Sequence, residues 1–178
     1  MAFYTEIKNR EQQFIKSQKM FFVATAPKKG RINLSPKGMD TFRVLDKNRV
    51  IWLNLTGSGN ETAAHLLEDN RITIMFCAFE GAPNIVRLYG KSITIHPKDD
   101  QWVDTISLFP EIPGARQIFD IEIESVQTSC GMSIPFYEFQ KERNQLNKWA
   151  MDKGQEQIEH YWKERNSISI DDNSTGIK

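Results

Sequence analysis

Cysteine is nearly absent. Two in 178 residues, Cys77 and Cys130, supply neither a zinc quartet nor a dense disulfide framework. Histidine is almost as scarce. His65, His96 and His160 show no HxH, HExxH or Cys/His spacing, so no metal site is expected. No charge sign dominates either: 23 basic side chains stand against 23 acidic ones, for a formal net charge of zero. A general nucleic-acid or anionic-membrane binder needs surplus Lys and Arg to neutralise phosphates, so neither partner is expected. No apolar run approaches the ~20 residues that cross a bilayer. The opening Met1-Ala2-Phe3-Tyr4-Thr5-Glu6 lacks the basic start and apolar stretch of a secretory leader. A soluble, cytoplasmic protein of a reducing compartment is the expectation.

What is present is a core. Hydrophobic residues make up 39% of the chain, with eleven Phe and four Trp, which excludes disorder for most of its length. The length favours one domain, expected over residues 1–166 with a polar tail at 167–178. Residues 5–18 read as a surface helix with Thr5 as N-cap and Ile7, Phe14 and Ile15 as its apolar stripe. Strands are expected at Phe21–Ala26, Ile32–Ser35, Val50–Thr56, Ile72–Phe79, Ile85–Ile95 and Ile118–Val126, where apolar residues recur with period two. Pro27-Lys28-Lys29-Gly30, Asp46-Lys47-Asn48 and Glu80-Gly81-Ala82-Pro83 are turn clusters that predict antiparallel hairpins. Short helices are expected at Glu61–Glu68 and Lys98–Leu108. A long one after Pro135 would carry Phe136, Phe139, Leu146, Trp149 and Ala150, with Gly154 ending it and a second piece bearing Ile158, Tyr161 and Trp162. Six antiparallel strands resolve their edges most simply by closing into a small barrel.

The most unusual segment is Thr56-Gly57-Ser58-Gly59-Asn60-Glu61-Thr62, between an apolar strand and a helix start. Asn60 suits an N-cap, and the glycines let backbone N–H groups turn outward, which is the physical basis of an anion seat. A P-loop fails because Glu61 stands where its Lys is required. A dinucleotide fingerprint fails because Thr62 replaces its third glycine. Upstream, Asn33-Leu34-Ser35-Pro36-Lys37-Gly38 places Lys37 at a rim. If this strand pairs with Val50–Thr56, Lys37 reaches the glycine loop and adds a cation to a helix N-terminus. Arg87, Tyr89 and Lys91 share one strand face around Gly90, a mark of a bulge or a close approach. There is no GxSxG, and Cys130 has no identifiable activating partner.

Together, Asn33 to Gly38, the strand Val50–Thr56, the run Gly57 to Leu66, and Arg87-Leu88-Tyr89-Gly90 resemble the pyridoxamine 5′-phosphate oxidase-like family of flavin-binding split barrels. Ser129-Cys130-Gly131 through Phe139 resembles one uncharacterised branch of it. The resemblance covers roughly residues 5–165. It implies a mainly β fold, a six-stranded antiparallel split barrel with flanking helices, a homodimer, and one FMN in a groove at each end of the interface. The cofactor-binding positions it implies are Ser35, Pro36, Lys37 and Gly38; Asn54, Leu55 and Thr56; Asn60, Glu61 and Thr62; and Arg87. No catalytic side chain is implied. The chain also departs from the vitamin B6 oxidases. Asn60-Glu61-Thr62 stands where they carry Ser-Arg-Lys, and no Arg-x-His segment occurs anywhere. B6 oxidation is therefore disfavoured. The leading expectation is an FMN-dependent oxidoreductase on an unidentified small molecule. The alternatives are a non-enzymatic flavin or haem carrier or sensor, and a deazaflavin-dependent reductase.

Overall fold

The period-two stretches fold into a single antiparallel sheet. The computed structural model describes residues 1–177. Its strands are β1 (Ala2–Tyr4), β2 (Met20–Thr25), β3 (Asn33–Gly38), β4 (Phe42–Val44), β5 (Arg49–Leu55), β6 (Arg71–Cys77), β7 (Ile85–Ile95) and β8 (Ala115–Ser129). They lie in the order β3-β2-β6-β7-β8-β5-β4, with β1 added on β8. The three turn clusters join antiparallel neighbours: β2 with β3, β4 with β5, and β6 with β7. The sheet curls into a half-barrel, and Leu53 N donates to Thr41 O at 2.8 Å to extend the β4–β5 ladder by one pair.

Each of the six expected strands is present, and the two additions, β1 and β4, are only three residues long. A segment that short completes no alternation for a pattern to register. Inside the curl, Phe21, Val23, Trp52, Ile74, Phe76, Leu88, Phe119 and Ile121 form the main core. The clean alternation of β8 holds: Phe119, Ile121 and Ile123 are buried, while Glu122 and Glu124 are exposed. β5 is buried on both faces. Val50 and Trp52 enter the main core, whereas Ile51 and Leu53 meet Ile95, Phe109 and Ile118 in a second cluster. The helix α3 (Trp102–Ile106) covers that second cluster, inside the expected 98–108 span.

Two helix expectations need correction. Thr5 caps nothing: α1 runs Asn9–Ser17, after Lys8, without a side-chain cap. The preceding residues are held extended, because β1 pairs with β8, Ile7 N donates to Lys47 O, and Asn48 Nδ2 donates to Thr5 O. Phe136 and Phe139 are likewise not helical. α4 begins only at Gln145 and runs to Arg165. Tyr137 N donates to Phe79 O and Phe139 N to Glu80 Oε1, so the β6–β7 turn captures the N–H groups a helix would need. α2 (Glu61–Glu68) matches its expected span. Gly154, at φ 72° and ψ 162°, breaks α4 into two pieces as expected. The polar tail docks: Ile168 bridges Ser174, Thr175 N donates to Ser167 O, and Asp171 pairs with Arg31. No helix among the described residues is long and apolar enough to cross a membrane.

Gly90 sits at a β-bulge between β7 and β8, where the register shifts after Tyr89. A Cβ there would lie 2.1 Å from Glu122 O and 3.2 Å from Ile123 Cα, both backbone atoms that cannot swing aside. Gly90→Ala should therefore cost roughly 3 kcal/mol, the upper range of overpacking. Gly81→Ala, at φ 69° but in open space, should cost only about 1 kcal/mol, from left-handed backbone strain alone. Urea unfolding of the two variants beside the parent checks the difference.

Candidate functional site

β3 is patterned the wrong way round for an ordinary sheet edge. Asn33, Ser35 and Lys37 stand opposite Thr25, Val23 and Phe21, and so share the concave face with core residues. Leu34 and Pro36 point outward. β3 pairs only with β2, not with β5 as the conditional expectation required. Curling of the sheet makes the approach instead: Lys37 Nζ lies 5.2 Å from the Trp52 ring centroid, and Asn33 Nδ2 donates to Thr62 Oγ1 at 3.2 Å. Burial, and then the nearby charge of Arg116, pull the Lys37 pKa from 10.5 down to about 8.

Arg116 is the residue that reading the sequence missed. On β5, consecutive Asn54 and Leu55 face Gln117 and Ala115, so Arg116 is the extra residue of a β-bulge on β8. Bulges re-aim side chains, and this one turns a guanidinium under the glycine loop. Nη1 and Nη2 both donate to Gly59 O at 3.2 Å, and Nη1 donates to Asn166 Oδ1 at 2.6 Å. The residue is 3% exposed, and burial lowers its pKa to about 10, partly opposed by Tyr161. Its Nε has no partner. Among the described residues, no carboxylate forms an ion pair with Lys37 or Arg116. The only sequence signal is a charged residue entering an otherwise buried strand.

Around these cations lies a polar network. Asn54 Nδ2 donates to Gln117 Oε1 at 3.3 Å and to Asn60 Oδ1 at 3.5 Å, and the buried Gln117 Nε2 has no acceptor. Asn60 occupies the N-cap position of α2, yet its side chain does not cap. It turns instead to Asn54 and to Asn166 O. The first turn of α2 thus keeps uncapped N–H groups at the positive end of its dipole. Two cations without counter-ions, an uncapped helix start, and orphaned N–H donors on Arg116 and Gln117 form a site for an anion.

The structure joins Asn54 and Asn60 in one network, puts Thr62 against Asn33, and sets Lys37 over Trp52 within reach of the charge of Arg116, with Ser35 on the same inward row of β3. Thr56 is spent on structure: its hydroxyl donates to Gly114 O and accepts from Trp162 Nε1, each at 2.7 Å. Glu61 turns its carboxylate to Ile170 N at 3.2 Å, on the side of the Gly59 turn where the tail packs. Leu55 packs against the second apolar cluster. Pro36 and Gly38 line a groove of about 1320 Å³ that runs from Lys37 past Phe22 and Phe79 to Tyr137 and Phe139. Arg87 is not part of the seat. It lies on β7 opposite Met75 and Gln127, and bonds Ser129 Oγ. His65 is buried, with Nδ1 3.0 Å from Thr25 Oγ1 and Nε2 unpaired.

The family model described as pyridoxamine 5′-phosphate oxidase matches residues 7–130. The pyridoxamine 5′-phosphate oxidase family protein ustO of Aspergillus flavus is 37% identical over 138 residues, 75% of this chain and 55% of that protein. The chain thus spans about half the length of this curated relative. Among solved structures, HupZ from Group A Streptococcus superposes with a TM-score of 0.55 at 18% identity, over 74% of this chain and 99% of that one. An FMN-binding protein from Syntrophomonas wolfei gives 0.50 at 13% identity, over 66% and 82%. At these identities the solved structures show the fold alone.

The lowered Lys37 pKa fixes the sign of a pH effect. Between about pH 8 and 10.5 the unfolded chain holds a proton on Lys37 that the folded chain has released, so stability from this group rises with pH across that window. Anion affinity moves the other way, because the charged ammonium is what attracts the ligand. Melts and phosphate-ligand titrations from pH 7 to about 9, below the range where Arg116 titrates, should show both trends in the parent and neither in Lys37→Met.

Proposed function

Because the chain belongs to the pyridoxamine 5′-phosphate oxidase family, we propose that it binds FMN and serves as a flavin-dependent oxidoreductase on a small molecule. The observation that carries this reading is the half-buried Lys37 and the buried Arg116, both without a counter-ion among the described residues, with Arg116 beneath the loop that leads into the uncapped start of α2. A phosphomonoester dianion matches two positive charges and offers oxygens to the unpaired Nε of Arg116. Lys37, Arg116, Thr62 and the first-turn N–H groups of α2 would hold the phosphate. Asn54 and Gln117 would offer amide groups to the rest of the ligand. The neighbour from Syntrophomonas wolfei binds FMN on the same scaffold. The flavin supplies hydride acceptance and donation, and the protein supplies orientation and electrostatics.

The loss of two cations from the glycine loop does not weaken the reading. Arg116 restores one from β8, and Glu61 is drawn away by Ile170 N. A B6 substrate is not proposed. The Arg-x-His segment is missing, and α4 closes on the loop through Trp162 instead. An axial haem role does not fit His65, whose ring is walled in against Thr25.

A second copy of the chain is the natural cover for the outer face of the sheet. Ile32 and Leu34 are 76% and 65% exposed, and Phe3 is exposed on the same sheet. Such an apolar face is unstable in water unless a partner buries it. Light scattering should report a dimer, and Leu34→Arg should shift it toward monomer. A stable parent monomer with flavin bound would overturn the assembly reading.

Purified protein should be yellow with flavin bands, and released ligand should have the mass of FMN. Lys37→Ala should weaken FMN binding roughly ten- to hundredfold, the worth of one charge-assisted bond, with little change in melting. Unaltered affinity would place the phosphate elsewhere.

A further inference from the structure

The end of α4 and the returning tail close on the anion seat, and one side chain makes most of the connection. Asn166 follows the last turn of α4 and is 0% exposed. Its Oδ1 accepts from Arg116 Nη1 at 2.6 Å, and its Nδ2 donates to Gly57 O at 3.1 Å. Its own carbonyl accepts from Thr175 Oγ1 at 2.6 Å and from Asn60 Nδ2 at 3.5 Å. One residue therefore ties together the buried cation, the glycine turn, the head of α2 and the tail. The tail is latched further out, where Ile170 N meets Glu61 and Asp171 meets Arg31.

The choice of an amide matters chemically. A neutral Oδ1 orients the guanidinium without cancelling its charge, so the charge stays available to a ligand. An aspartate in the same place would neutralise Arg116 and lose the donor to Gly57 O. We propose that Asn166 is a positioning residue of the anion seat: it aims Arg116 at the ligand's phosphate and sets the Gly57–Gly59 turn. Phosphate affinity is thereby decided by the C-terminal segment together with the barrel. This inference rests on the seat being a phosphate site, as proposed above.

FMN and riboflavin share one ring system and differ by the phosphate, so the ratio of their affinities reads the seat alone. Both are titrated into full-length apo-protein as parent, Asn166→Ala and Asn166→Asp, with melts of each. The parent should favour FMN. Asn166→Ala should lower the ratio about tenfold, with riboflavin affinity held. Asn166→Asp should lower it further, because its carboxylate competes with phosphate for Arg116. Asn166→Asp keeps the side-chain volume, so the test survives if the alanine variant fails to fold. A parent-like ratio in Asn166→Asp, or a proportional loss for both ligands, overturns the positioning role and leaves the phosphate seat standing. A parent that binds both ligands equally overturns the seat, and this inference with it.

Discussion

A buried Arg116 and a half-buried Lys37 stand at one end of the half-barrel with no ion-paired acid among the described residues, and the local architecture follows from holding them there. Removing an ion from water costs several kcal/mol even after relaxation. Arg116 offsets that cost in part through neutral acceptors, Gly59 O and Asn166 Oδ1. Lys37 does so with the Trp52 ring and a lowered pKa. Neither solution is complete, since Nε of Arg116 stays unpaired and an orphaned donor costs ~1–3 kcal/mol. Structural ion pairs relax such strain by recruiting a carboxylate. Here the nearby carboxylate, Glu61, is held off by the tail. Cations left without an ion-paired acid among the described residues are the condition on which the proposed anion seat depends.

The inverted edge strand belongs to the same arrangement. A half-barrel with an apolar concave face would leave no room for Lys37, so β3 contributes Asn33, Ser35 and Lys37 inward. Strict alternation then forces Leu34 to the outside, with Ile32 exposed beside it. The polar lining of the site and the apolar patch on the outer surface are two faces of one strand. Neither can change without the other, because a one-residue slip would exchange them.

Much of this was legible beforehand, and the parts that were not share a cause. α2, the three hairpins and the break at Gly154 were readable because turn residues and helix punctuation act locally. Lys37 and the loop Asn60–Thr62 stood out in the sequence as a strand-end cation and as a glycine-rich turn ahead of a helix. The misreadings come from backbone groups captured at long range. Phe136 and Phe139 continue the helical spacing of α4 backwards, but their segment gives its donors to Phe79 and Glu80. Asn60 has a capping side chain that the network claims for Asn54 and Asn166. Arg116 was hidden by its bulge, which breaks the alternation at the position where it matters. Asn166, a polar residue after a helix, carries no local signal at all.

On the proposed reading, a cation on β8 stands in for those the glycine loop lacks. A phosphate interacts with the field of the charges around it, and the field does not record which strand supplied them. Replacing two loop cations by Asn60, Glu61 and Thr62 leaves the glycine turn to be held by something else, and Arg116 does this through Gly59 O while also supplying charge. A loop braced from below needs that brace positioned, which is what Trp162 and Asn166 provide from α4. The C-terminal segment holds Arg116 through Asn166 and the strand before the turn through Trp162. Once the cation acts from beneath the turn, the chain that packs over it becomes part of the site.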